Sequence, residues 1–149
     1  MTAVNATQVG GTHYKTEYEH WDFVLDTDQD YLLGNATKYL ARHAKKNGRQ
    51  DLLKCLHYIK KMTDCLPDRN FHVTSPTVAA VVTEHHTRLT RVFAGHNGLD
   101  EFDQAVLCQL VTWKTCQDLV TCSDLVQDII NVRYPHPADE PGPGYVNQG

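Results

Sequence analysis

Three observations predict an all-α fold for this chain of 149 residues. Apolar residues recur at helical spacing in several segments, capping residues stand just before those segments, and Gly or Pro punctuates the gaps between them. The architecture expected is a helical hairpin preceded by an irregular Gly-Gly loop segment, followed by two or three further helices and a flexible C-terminal tail. Three regions follow: residues 1–66 around the hairpin, 67–134 as a helical region suited to oligomerisation, and 135–149 as the tail.

After Gly10-Gly11, an irregular stretch leads to Trp21-Asp22-Phe23-Val24-Leu25. Asp28 is placed to cap a helix over about 29–46 that carries Leu33, Ala36, Thr37, Leu40 and Ala44 on one stripe, and Asn47-Gly48 stops it. A second helix over about 50–65 lines up Leu52, Cys55, Leu56, Ile59 and Met62. The turn between them is too short for anything but a hairpin. Ser75-Pro76 opens a helix to about residue 94 with Val78, Val81, Val82, Leu89, Val92 and Phe93 on its apolar side. One long helix is expected over about 99–121, with Phe102, Val106, Leu110, Trp113 and Leu119, then a shorter one capped by Ser123 and reaching Val132. The stretch from Pro135 on holds four of the six prolines, which predicts a mobile extension.

With 41% hydrophobic and 21% charged residues the chain has material for a core, and collagen-like or wholly disordered classes are excluded. No window approaches the roughly 18 apolar residues of a membrane helix, and the start MTAVNATQVG lacks signal-peptide character, so a cytoplasmic protein is expected. The five cysteines form no CxxC pair, which predicts neither a disulfide framework nor a zinc site.

Charge is distributed unevenly. Residues 1–37 carry six acids and one Lys, whereas residues 38–63 carry eight bases and only Asp51, in a chain of net charge −4. A basic cluster in an acidic protein makes either a solvated helix face or a local anion site. No glycine is followed by lysine, so there is no P-loop. Asp26, Asp28 and Asp30 imitate half of a calcium loop, but its sixth position is Tyr31 and its twelfth Thr37. Glu84-His85-His86 lacks the spacing of a zinc hydrolase, and no ExxE pair is present.

Two segments survive this elimination. In Gly10-Gly11-Thr12-His13-Tyr14 the glycines allow close backbone approach, and His13 and Tyr14 suit hydrogen bonding or stacking on a base. In Gly34-Asn35-Ala36-Thr37-Lys38-Tyr39-Leu40-Ala41-Arg42, helical spacing gathers Asn35, Lys38, Tyr39 and Arg42 on one face. An amide, an ammonium, a phenol and a guanidinium suit a base or sugar plus a phosphate, and Gly34 inside the helix points to close packing or ligand approach. The same face would otherwise be solvated, with Tyr39 packed on a neighbour.

The succession GGTHY, WDF, GNATKYLARHAKKNG and DLLKCLHYIKK resembles the SaV-like domain of tailed bacteriophages, over about residues 10–62. That domain also occurs in a phage nucleoside monophosphate kinase that lacks a P-loop. The resemblance implies a helical, phage-encoded protein of the host cytoplasm. For at least one relative it implies phosphate transfer from a nucleoside triphosphate to dTMP or dGMP. The family motif falls on Gly11, His13, Tyr14, Gly34, Asn35, Lys38, Tyr39, Arg42, Gly48, Asp51 and Tyr58.

On the kinase reading, Lys38 and Arg42, with Lys45 or Lys46, bind the transferring phosphate, His13 and Tyr14 bracket the base, and Asn35 reads its edge or the sugar. ATP and Mg²⁺ are then required, with Asp26, Asp28, Asp30 or Asp51 as candidate metal ligands; otherwise no cofactor is. Two other readings stand beside it: sequestration of a host-defence nucleotide signal without turnover, and modulation of a host protein through the helical surface. A homo-oligomer is expected. A nucleic-acid partner is not, because the sequence shows no aromatic interleaving or recognised motif.

Overall fold

The computed structural model describes residues 17–68 and 75–136. Among them are six helices and no strand: α1 (His20–Asp26), α2 (Tyr31–Arg42), α3 (Arg49–Cys65), α4 (Pro76–His96), α5 (Glu101–Val111) and α6 (Cys116–Arg133). No helix among the described residues is long and apolar enough to cross a membrane. The expected Gly10-Gly11 loop and the tail beyond His136 lie outside the described residues.

The hairpin forms as its periodicity requires, since α2 buries Leu33, Ala36, Thr37 and Leu40 while α3 buries Leu52, Cys55, Ile59 and Met62. Two details differ from expectation. The cap of α2 is Asp30, whose Oδ1 accepts the Leu33 N–H at 2.9 Å. Asp28 instead takes a left-handed conformation, φ 54°, in the turn after α1, one that Asp tolerates better than most residues. At its far end α2 tightens into a 3-10 turn, His43–Lys45, which brings His43 into the core and leaves Ala44 exposed. Gly48 then reverses the chain with φ 52° and ψ −122°, a region that side chains with a Cβ avoid.

Helix α1 is too short to show periodicity, and tertiary packing holds it. The Phe23 ring stacks on Phe93 of α4, with centroids 4.2 Å apart and planes 5° from parallel. The single helix expected over 99–121 is two helices. Thr115-Cys116-Gln117-Asp118 forms a capping box in which Thr115 Oγ1 accepts the Asp118 N–H while Asp118 Oδ2 accepts the N–H groups of Thr115 and Lys114. These backbone hydrogen bonds hold the Asp118 carboxyl below its ordinary pKa. Ser123 therefore lies inside α6 and caps nothing.

Helix α3 packs on α6, α2 on α5, and α4 on α5 and α1, so both halves of the chain contribute to one core. Helix α4 joins that core only near its end, through Thr90, Phe93 and Ala94. Val78, Val81 and Val92, expected on its apolar side, are about half exposed, as is Phe102 of α5.

Buried polar groups tie the hairpin to the C-terminal helices. His43 has no exposed surface; its Nε2 lies 2.9 Å from Asp103 Oδ2 and its Nδ1 2.9 Å from the Tyr134 hydroxyl. The carboxylate can only accept, so Nε2–H donates to it, and Nδ1 shares the second hydrogen bond with the Tyr134 hydroxyl. Arg133 closes the cluster by donating to Asp100 at 3.1 Å and to Asp103 at 3.4 Å. Removing the Tyr134 hydroxyl leaves a buried nitrogen without a partner, at a cost of about 1–3 kcal/mol. Tyr134→Phe is expected to lower the urea-unfolding free energy by that amount without changing the helical circular-dichroism signal.

Candidate functional site

The basic segment folds into two adjoining features that share Lys38 and Arg42. The first is a small cleft of about 50 Å³ lined by His20 of α1, Lys38, Ala41 and Arg42 of α2, Lys45 and Lys46 of the turn, and Phe93 and Asn97 at the end of α4. Four cations predicted to bind a phosphate thus meet at one place, because the 3-10 turn swings Lys45 and Lys46 back toward the last turn of α2. Lys45 Nζ donates to the Asn97 carbonyl. The Asn97 side chain in turn donates to the carbonyls of Tyr18 and Phe93, both at 2.9 Å.

Arg42 has a structural duty as well. Its Nε and terminal nitrogen donate to the two oxygens of Asp51 at 3.2 and 3.1 Å, and Asp51 is fully buried. Asp51 Oδ2 also accepts the Asn47 N–H at 3.1 Å. This fork-to-carboxylate geometry is what arginine provides and lysine does not.

His20 lines the cleft as a neutral ring. Thr37 Oγ1 lies 2.6 Å from Gln29 Oε1, an acceptor, so the hydroxyl proton goes there and Thr37 accepts from His20 Nε2–H at 2.9 Å. Gln29 continues the chain by donating to Thr27, which donates to the Phe23 carbonyl. The protonated Nε2 leaves Nδ1 as the lone-pair nitrogen. Burial, followed by the charge of Lys38, lowers the His20 pKa to about 4 from 6.5.

The second feature is a row of tyrosines across α2 and α3. Tyr39 stacks on Tyr58, with centroids 5.9 Å apart and planes at 17°, and Tyr31 meets Tyr58 edge-on at 6.4 Å. Lys38, Arg42 and Lys54 all lie near the Tyr39 ring, at 4.5, 4.7 and 5.4 Å from its centroid. Tyr31 is 75% exposed. Burial and then the hydrogen bond to Tyr31 raise the Tyr58 pKa above its ordinary value. Aromatic interleaving invisible along one helix is therefore present between two. Tyr31 and Lys54 join the candidate set only through this packing.

Other expected residues stay apart. Asn35 lies outside the cleft, and its amide donates to the Tyr31 carbonyl of its own helix. Gly11, His13 and Tyr14 lie outside the described residues. The four candidate metal ligands are dispersed: Asp26 accepts from the Tyr18 hydroxyl, Asp28 is exposed 3.7 Å from His86, Asp30 caps α2, and Asp51 holds Arg42. Among the described residues no group of three or more His, Cys, Asp or Glu is placed to hold a metal ion.

Gly34 has room that its helix does not need. A Cβ there would meet only the Val24 methyls, at 3.6 and 3.8 Å, which is ordinary contact. Packing inside the fold therefore does not require glycine. Gly34→Ala is expected to raise stability by about 0.5–1 kcal/mol, seen as an increased Tm.

The sign of the His20 titration follows from its lowered pKa. Well above pH 6.5 the ring is neutral whether the chain is folded or not; as pH falls through 6.5 toward about 4 the unfolded chain takes up the proton first and stability declines. The loss is on the order of 3 kcal/mol. The expected outcome is an NMR titration of His20 centred near pH 4, and a shallower fall in stability over that window in His20→Gln.

A protein family described only as being of unknown function, DUF3310, matches residues 9–60. The matched stretch covers α1, α2 and most of α3, with Lys38, Tyr39, Arg42, Lys45 and Lys46 inside it. No curated protein and no solved structure matches the chain.

Proposed function

We propose that the chain binds a nucleotide with its phosphate in the cleft lined by His20, Lys38, Lys45 and Lys46, and that it acts as a deoxynucleoside monophosphate kinase without a P-loop. The observation that carries this reading is the meeting of four cations at one small cleft, beside stacked tyrosines, in a chain of net charge −4. A volume of about 50 Å³ suits one phosphoryl group and is far below the size of a site that encloses a whole small molecule. The resemblance to the SaV-like domain supports the choice of phosphoryl transfer.

In that reaction an oxygen of the monophosphate forms a bond to the γ-phosphorus of ATP while the bond from γ-phosphorus to the β-bridging oxygen breaks, and ADP departs. Phosphoryl transfer depends on positioning and charge neutralisation more than on covalent catalysis, which is what clustered lysines supply. His20 Nδ1 would accept a hydrogen bond from a ligand hydroxyl. None of the four candidate carboxylates lines the cleft, so no step is routed through a metal that they hold.

A second reading, sequestration without turnover, is favoured by the lining of the cleft. It contains no carboxylate, and its one imidazole, His20, is neutral at pH 7. One experiment separates the two. Purified protein is incubated with ATP, Mg²⁺ and each dNMP, then denatured, and every nucleotide is recovered by chromatography. The expected result is a deoxynucleoside diphosphate whose rate of formation falls at least about tenfold in Lys38→Ala. Ligand depleted from solution but recovered intact would establish sequestration, and absence of both product and binding would overturn the nucleotide reading. Arg42→Ala is unsuitable here, since it strands the buried Asp51 charge at a cost of about 3–5 kcal/mol.

A further inference from the structure

The tyrosine row has a direction. Tyr31 and Tyr39 lie two turns apart on α2, about 12 Å at 1.5 Å per residue. The Tyr39 end is occupied, since Tyr58 stacks on the ring and Lys38, Arg42 and Lys54 surround it. The Tyr31 end is open, with three quarters of that residue exposed and Tyr58 braced against it edge-on. Charge on α2 itself differs between its two ends. Asp30 caps the helix beside Tyr31, and Asp28 lies just before it, whereas the cations gather at the other end. The three cations around Tyr39 thus make that end the favoured place for an anion.

We propose that Tyr31, supported by Tyr58, is the base-stacking platform of this site, so that a 5′-nucleotide lies along α2 with its base on Tyr31 and its phosphate toward Lys38 at the cleft. The assignment rests on the nucleotide reading above and adds to it the residue that distinguishes a base-bearing ligand from a bare phosphate ester. An exposed phenol ring backed by a second ring provides a π-face that every base can use, so the platform selects for a base without choosing which. Single-stranded oligonucleotides are the alternative occupant that the test addresses.

The test is calorimetric titration of the full chain with the four dNMPs, with deoxyribose 5-phosphate, which lacks a base, and with a short oligo(dT). In Tyr31→Ala the tightest-binding dNMP is expected to weaken about tenfold and deoxyribose 5-phosphate less than about twofold, while Tyr31→Phe keeps wild-type affinity. Lys38→Ala is expected to weaken both ligands. Equal loss for both in Tyr31→Ala, or no loss for either, overturns the platform and leaves the phosphate cleft standing. Binding of oligo(dT) at least about tenfold tighter than any dNMP overturns the mononucleotide assignment. Failure of wild-type protein to bind either dNMP or deoxyribose 5-phosphate removes the nucleotide reading and the platform with it.

Discussion

The ion pair between Arg42 and Asp51 is the constraint on which the candidate site depends. It closes the turn between α2 and α3 from inside, because Asp51 also accepts the Asn47 N–H just before Gly48 reverses the chain. The turn in turn places Lys45 and Lys46 beside Lys38. A carboxylate with no exposed surface is tolerable only while its partner stays, so the guanidinium is fixed in orientation and its charge is shared with Asp51. The remaining lysines supply the net positive field of the cleft.

A second buried cluster extends that rigidity across the molecule. His43 sits at the first position of the 3-10 turn and is held by Asp103 of α5 and by Tyr134 after α6. The turn that presents the lysines is therefore anchored from both sides, by Asp51 on one and by the C-terminal helices on the other. Residues 67–134 thus do more than extend the hairpin. They supply Phe93 and Asn97 to the cleft wall and Asp103 and Tyr134 to its foundation.

Most of the fold was legible in the sequence where one helix could be read alone. The stripes of α2 and α3 and the Asn47-Gly48 stop are local signals, and the structure keeps them. Helix α1 was not legible, since seven residues show no period and its stability comes from the stack on Phe93, 70 positions away. The break between α5 and α6 was encoded locally in Thr115 and Asp118, but the apolar rhythm running through it masked the capping box. Of the candidate site, the cation cluster was legible as charge density. Its geometry was not: the pairing of Arg42 with Asp51 and the meeting of Tyr31 with Tyr58 cross between helices, where neither periodicity nor motif reaches.

Helix α4 carries a consequence of its own. Only its last two turns are set into the core, and the preceding turns, from Pro76 to about Leu89, rest on little buried surface. Opening therefore costs less at the start of this continuous helix than near Phe93. Because Phe93 and Asn97 also wall the cleft, the helix joins its more lightly packed start to the part of the molecule that lines the cleft.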